Sequence, residues 1–110
     1  MSVLLQLAAG RGRVPYNERM RFADLPGGDL VEQGLRDLAT GRESDAALLV
    51  LVGSPRLRSL GIDVPPSPLP RPEHRLYERL ARTDPDGAHS RYNALIRRLV
   101  SFERAAECAR

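Results

Sequence analysis

The longest uninterrupted amphipathic pattern in the chain covers residues 88–109, which contain neither glycine nor proline. At about 100° per residue, the apolar positions fall within one half of a helical wheel and the polar positions within the other. The apolar half holds Ala88, Tyr92, Leu95, Ile96, Leu99, Val100, Phe102, Ala106 and Ala109, and the polar half holds Ser90, Asn93, Arg97, Ser101 and Arg104. The pattern predicts a helix whose apolar stripe needs a covering surface from this chain or from another.

A capped helix is predicted in the first half of the chain. Asp29 and Glu32 have the spacing of a capping box, in which each side chain satisfies a free amide of the first turn. The apolar positions that follow recur at helical spacing, and Gly41 supplies a left-handed stop. We therefore expect a helix that begins at Asp29 and ends before Gly41.

Ser44 offers a second cap, and it precedes seven consecutive apolar residues, Ala46–Val52. Such a run fits a buried helix or a buried strand, and periodicity does not separate the two, so Leu48–Val52 is open to both interpretations. The strand interpretation needs a partner, and the candidate is Val3–Leu7. Because two strands alone are marginally stable in water, we favour a central buried helix.

Shorter helices are expected on either side of these elements. One is predicted within Tyr16–Leu25, before a proline and two glycines. Another is predicted within Pro55–Leu60, with Ser54 as its cap and Gly61 as its stop.

Five prolines between residues 65 and 72 predict an extended, semi-rigid connector. It separates an N-terminal helical part, residues 1–64, from a C-terminal hairpin, residues 73–110, built from a helix over Glu73–Arg82, a turn and the long final helix. Such a hairpin is too small to bury its own core, so it must dock on the N-terminal helices or on those of a second copy. The prediction is a single all-α domain, a bundle of about five helices, with the homodimer favoured over the monomer.

Glu103 breaks the apolar stripe of the final helix, because it lies between Leu99 and Ala106. A carboxylate there must be paired, protonated or beyond the packed region. We expect the helix end to extend into solvent, and a salt bridge with an arginine is the main alternative. The candidate interaction residues on this stripe are Tyr92, Leu95, Leu99, Phe102 and Glu103.

The charge pattern limits the classes of partner. All 17 basic residues are arginine against 14 acidic residues, and the net charge is +3. The surplus lies in the last 40 residues, where acidic residues are interleaved as on solvated helix faces. The sequence shows no apolar run of membrane-spanning length and no signal-peptide pattern, which predicts a cytoplasmic protein without membrane contact.

Few residues suggest chemistry. His74 and His89 are expected at opposite ends of the hairpin, and Cys108 is a single thiol without a recognisable base. No combination of nucleophile, base and orienting group is visible, so we expect neither a catalytic site nor a metal or cofactor.

Arg82 and His89 are separated by six residues, which resembles the arginine-to-histidine spacing of HEPN-type ribonucleases, small α-helical proteins. The resemblance covers these two residues only, and Pro85 and Gly87 interrupt the spacing. It implies a dimeric ribonuclease, as found in toxin–antitoxin pairs, with both residues near a shared cleft.

The sequence favours a small non-enzymatic protein that binds other proteins, self-associates or serves as an accessory subunit. Nucleic-acid binding is the alternative, with Arg82, His89, Arg97, Arg98 and Arg104 as the candidate contacts. Ribonuclease activity ranks below both.

Overall fold

The computed structural model describes residues 22–109, which form five α-helices after one 3-10 turn and contain no β-strand. The turn is Phe22–Asp24, and the helices are α1 (Gly28–Ala39), α2 (Asp45–Val52), α3 (Ser54–Ser59), α4 (Pro72–Thr83) and α5 (Ala88–Ala109). The predicted all-α class is confirmed. The predictions for Val3–Leu7 and for most of Tyr16–Leu25 lie outside the described residues.

Helix α2 is the centre of the molecule. Its residues 46–50 are all buried, which confirms the buried-helix interpretation and explains why this segment shows no hydrophobic periodicity. Ser44 caps the helix as predicted, since its Oγ accepts a hydrogen bond from the Ala47 amide at 3.0 Å. The same hydroxyl donates to Asp37 at 2.6 Å, so the carboxylate orients the capping group.

Helices α1 and α2 approach each other closely at Gly34. A side chain at this position would collide with the backbone carbonyl of Ala46 and with Val50. The absence of a Cβ therefore allows the two helices to pack backbone against backbone.

The predicted capping box is wrong. Helix α1 begins at Gly28, and its N-cap is Gly27, which has a φ of 73° and makes no side-chain cap. Gly27 lies against the backbone of Arg98 in α5, where a Cβ would not fit. This tertiary contact fixes the start of α1, and Asp29 instead accepts a hydrogen bond from Arg98 at 3.1 Å.

The other predicted boundaries differ by at most one residue at the helix starts. Helix α3 begins at Ser54 with Gly53 as its N-cap, so Ser54 is not the cap. Gly41 and Gly61 follow α1 and α3 with φ values of 77° and 90°, as expected for left-handed stops. Helix α4 begins at Pro72, the position at which a missing amide hydrogen costs nothing.

Residues 62–71 connect α3 to α4 without regular structure. Ile62 and Val64 at the start of this segment are buried in the core, and the Val64 carbonyl accepts a hydrogen bond from Arg58 at 3.0 Å. At its end, Arg71 has a φ of 44°, the one positive value at a non-glycine residue in the described part.

Helices α4 and α5 form the predicted hairpin, and α5 has the predicted bounds. Ala88, Leu99, Phe102 and Ala106 of α5 are buried, so the chain itself covers the centre of the apolar stripe. In the part of the chain that the structure describes, no helix combines the length and apolar character needed to cross a bilayer.

Two ion pairs join the hairpin to the start of α2, and we call their four residues the polar clamp. Arg75 donates to both carboxylate oxygens of Glu43 at 2.8–3.1 Å, and Arg79 donates to Asp45 at 2.8 Å. Arg75 and Arg79 are one helical turn apart, so both face the loop before α2.

Candidate interaction surface

Two of the five predicted interaction residues are in the core. Phe102 is fully buried and Leu99 is 3% exposed, so neither is on the surface of the folded chain. Tyr92 and Leu95 are half-buried and pack against the same core. The apolar centre of α5 thus contributes to folding, and a partner would contact only its outer border.

That border contains an aromatic pair. Tyr77 of α4 is 38% exposed and is the one large apolar side chain classed as exposed between residues 23 and 109. Its ring centroid lies 5.7 Å from that of Tyr92, with the planes tilted by 58°. Burial and, to a smaller extent, the Glu73 carboxylate raise the pKa of Tyr92.

The apolar border continues along α5 from this pair. Ile96 and Val100 follow Tyr92 at intervals of four residues, and both are half-buried. We call Tyr77, Tyr92, Ile96 and Val100 the hairpin edge. Tyr77 and Tyr92 combine apolar area with a polar hydroxyl, which suits a surface that is exposed in one state and covered in another.

Glu103 does not extend into solvent. Packing continues beyond it to Ala106, and its own side chain is half-buried at the junction of α2 and α3. A Cβ on Gly53 would lie 3.0 Å from Glu103 Oε2, so the carboxylate rests directly against that glycine. Burial raises the pKa of Glu103, and attraction to Arg56 offsets this only in part.

The predicted arginine salt bridge at Glu103 is not formed within 4 Å by the described residues. Arg56 instead donates to Glu107, one turn further along α5. Glu103 therefore sits on the border of the core with a partly desolvated charge.

Many C-terminal arginines are neutralised by carboxylates of the same chain. Besides the polar clamp, Arg91 pairs with Asp84 and Arg98 with Asp29, each at 3.1 Å. Between residues 22 and 109 there are 12 arginines and 13 acidic residues, so this part of the molecule carries no basic surplus. Arg82, Arg97 and Arg104 are exposed and form no ion pair with the described residues.

Arg82 and His89 flank the turn of the hairpin, and both are exposed. His89 contacts Asn93, with 3.2 Å between their side-chain nitrogens. His74 lies near the start of α4, and its Nε2 is 3.1 Å from Oε2 of Glu78. In residues 22–109 no three metal-ligating side chains are grouped closely enough to hold an ion, and Cys108 is an exposed thiol.

Sequence reasoning missed the polar clamp and the Tyr77–Tyr92 contact. The sequence shows two arginines at a one-turn interval, Arg75 and Arg79, and two acidic residues before a predicted helix, Glu43 and Asp45. It does not predict that they pair, because the partners are 32 and 34 residues apart in the chain. Tyr77 is one of the apolar residues of α4, which recur at helical spacing, and this period does not show which of them stay at the surface.

Comparison of the chain with protein-family models, with curated proteins and with solved structures gives no match.

Proposed function

We propose that the protein is a small non-enzymatic interaction protein and that it self-associates through the hairpin edge. The observation that carries the proposal is the exposed Tyr77, which contacts the half-buried Tyr92 and continues into Ile96 and Val100. Interface contacts with the largest effect on affinity are commonly aromatic side chains of this kind at the centre of a patch. Leu99 and Phe102 would support this surface from beneath.

The charges around the edge favour a second copy as the partner. Exposed Glu73 and Glu78 lie on α4 together with exposed Arg82, so the surroundings of the edge carry both signs. A two-fold interface brings the same patch of both copies together. If the patch carries positive and negative charges, the acidic groups of one copy can then pair with the basic groups of the other. A strongly acidic or strongly basic partner would match only half of these charges.

Replacing Tyr77 by arginine tests the proposal. The wild-type chain is expected to pass from one-copy to two-copy mass as its concentration rises in sedimentation equilibrium. Tyr77→Arg removes the aromatic anchor and places a charge in its position, which should weaken the dimer at least about tenfold.

Ala39→Arg is the matched control, because Ala39 is exposed on α1 and lies outside the hairpin. It adds the same charge and should leave the association unchanged. A wild-type chain that keeps the mass of one copy at every concentration, or a Tyr77→Arg variant that dimerises like the wild type, would refute the proposal.

Nucleic-acid binding is a second candidate, supported by Arg97 and Arg104 on the polar face of α5. They are seven residues apart, or about 10 Å along the helix, and neither pairs with a carboxylate within residues 22–109. Such binding would depend steeply on salt and would give purified protein with a high ratio of absorbance at 260 nm to that at 280 nm. A low ratio, with retention on immobilised RNA and DNA that does not change with salt, would reject it.

A further inference from the structure

Within residues 22–109, the contacts that hold the hairpin formed by α4 and α5 to the preceding helices are ones that a second copy could supply equally well. The polar clamp joins it to the start of α2, and Arg98 and Glu107 pair with Asp29 and Arg56. Leu76, Leu80 and Phe102 enter the same core as α2. Each contact joins the hairpin to residues that precede the connector, so the connector alone determines whether the contact is made within one chain.

The connector is suited to span two copies. Ile62 and Val64 are buried in the core, so the free part of the connector is residues 65–71, four of which are prolines that fix φ near the extended conformation and prevent a helix. At about 3.1 Å per residue, seven residues in this conformation reach about 22 Å. That length matches the shortest dimension of the molecule, 22 Å.

Arg71 places strain at the end of the connector. Its φ of 44° and ψ of 64° are in the left-handed region, which L-residues other than glycine adopt at a cost in free energy. Pro72 follows, and a proline further disfavours helical conformations, as opposed to extended ones, at the residue before it.

We propose that two copies of the chain exchange their hairpins, so that α4 and α5 of each copy pack on α2 of the other. In the exchanged dimer Arg71 can return to an extended conformation, while the polar clamp and the core re-form between the chains. Strain in a hinge segment is a recognised cause of such exchange. The exchange does not require the hairpin edge, and it adds to the proposed self-association a second form of dimer in which the copies are interlocked.

Two charge-reversed chains distinguish exchange from every side-by-side dimer. Glu43→Arg and Arg75→Glu each place like charges in the polar clamp of a closed monomer. Each half of an exchanged heterodimer combines α2 of one chain with the hairpin of the other. One half therefore contains Glu43 with Arg75, and the other half contains the pair with both charges reversed. Both variants also carry Tyr77→Arg, so that association through the hairpin edge does not contribute.

The two variants are unfolded together in urea, refolded at high protein concentration and analysed by native mass spectrometry with one chain isotopically labelled. We expect the heterodimer to exceed the amount that random pairing gives, and to unfold at a higher temperature than either variant alone. Monomers only, or pairing in random proportions, would refute the exchange whatever the result for Tyr77. If the single variants do not fold alone, folding that appears only on mixing supports the exchange, and its absence refutes it.

The chain with both Glu43→Arg and Arg75→Glu is the control, since it restores the pair within one chain and should fold without a partner. Arg71→Gly supplies a second measurement, because glycine adopts a positive φ without strain. When Arg71→Gly is added to a chain that carries only Tyr77→Arg, it should lower the fraction of exchanged dimer that forms on refolding. An unchanged or higher fraction would show that strain at residue 71 does not drive the exchange.

Discussion

At the scale of single residues, Glu103 is the position where packing of the core desolvates a charged side chain. Its neighbours along the apolar stripe are buried, whereas its carboxylate rests against Gly53 with only part of its surface in water. Because burial favours the uncharged form, the folded chain holds the proton of Glu103 more tightly than the unfolded chain does. The ionised side chain therefore lowers the free energy of unfolding at neutral pH.

Glu103→Gln is expected to stabilise the protein at pH 7. The amide has nearly the same shape and no charge to desolvate. The gain should shrink as the pH falls through the raised pKa of the folded state, and it should vanish below the ordinary value of 4.5. Urea unfolding at pH 7 and at pH 4 measures this difference.

Glu32→Gln provides the comparison, because Glu32 forms a surface pair with Arg36 at 3.5 Å. Exposed pairs of this type contribute little, so the urea midpoint should move only slightly. A Glu103→Gln variant less stable than the wild type at pH 7 would show that attraction to Arg56 outweighs desolvation.

At the scale of elements, the sequence predicts helices well where the signal is local. The glycines after α1 and α3, the serine cap of α2 and the whole span of α5 follow from neighbouring residues, and all are confirmed. The capping box at Asp29 failed because Gly27 packs against the backbone of α5, which lies far away in the chain.

The candidate interaction surface was predicted only in part, for the same reason. A hydrophobic stripe shows which side of α5 is apolar, but it does not show which segment covers it. Leu99 and Phe102 satisfy the pattern as well as Tyr92 does, yet the core covers them and leaves Tyr92 at the border. Separating core from border requires the position of α4, which no local pattern contains.

The contribution of a single capping residue to helix stability can be tested at the start of α2. Ser44→Ala removes the oxygen that accepts from the Ala47 amide and the hydroxyl that donates to Asp37. Loss of an N-cap costs about 1 kcal/mol, which lowers the midpoint of thermal unfolding by about 4–8 °C. Circular dichroism melting checks the value.

Ser44→Thr is the matched variant, since it keeps a hydroxyl at the same position. It should retain most of the stability that alanine loses. Equal melting temperatures for the alanine variant and the wild type would mean that the cap contributes nothing to the fold.

At the scale of the whole molecule, acid should loosen the attachment of the hairpin. The hydrogen bond from Arg75 lowers the pKa of Glu43, and the hydrogen bond from Ser44 lowers the pKa of Asp37. A carboxylate whose pKa is lowered on folding stabilises the folded state above its ordinary pKa. That stabilisation disappears as the pH falls through the folded-state pKa. Glu103 has the opposite effect in a higher pH range, because its destabilising charge is already removed when the pH has fallen through its raised pKa to the ordinary value of 4.5.

Glu43→Gln tests this pH dependence. The variant should be less stable than the wild type at pH 7. The two stability curves should begin to converge as the pH falls below 4.5, the ordinary pKa of glutamate, and should meet below the lowered pKa of Glu43 in the folded state, where its carboxyl is protonated. Urea unfolding across this range at low ionic strength measures the convergence. Curves that remain parallel would show that the polar clamp does not account for the acid sensitivity.

The burial of residues 46–50 of α2 also has a consequence for synthesis on the ribosome. Its apolar segment is finished at Val52, whereas Ala109, the last residue of the hairpin that covers it, follows 57 residues later. At about 5–20 residues per second this interval lasts about 3–11 s. During this interval the apolar segment of α2 lacks its cover, and neighbouring nascent chains or a chaperone can bind it. Because the covering hairpin is translated after α2, we expect the nascent chain to aggregate more readily than the folded protein.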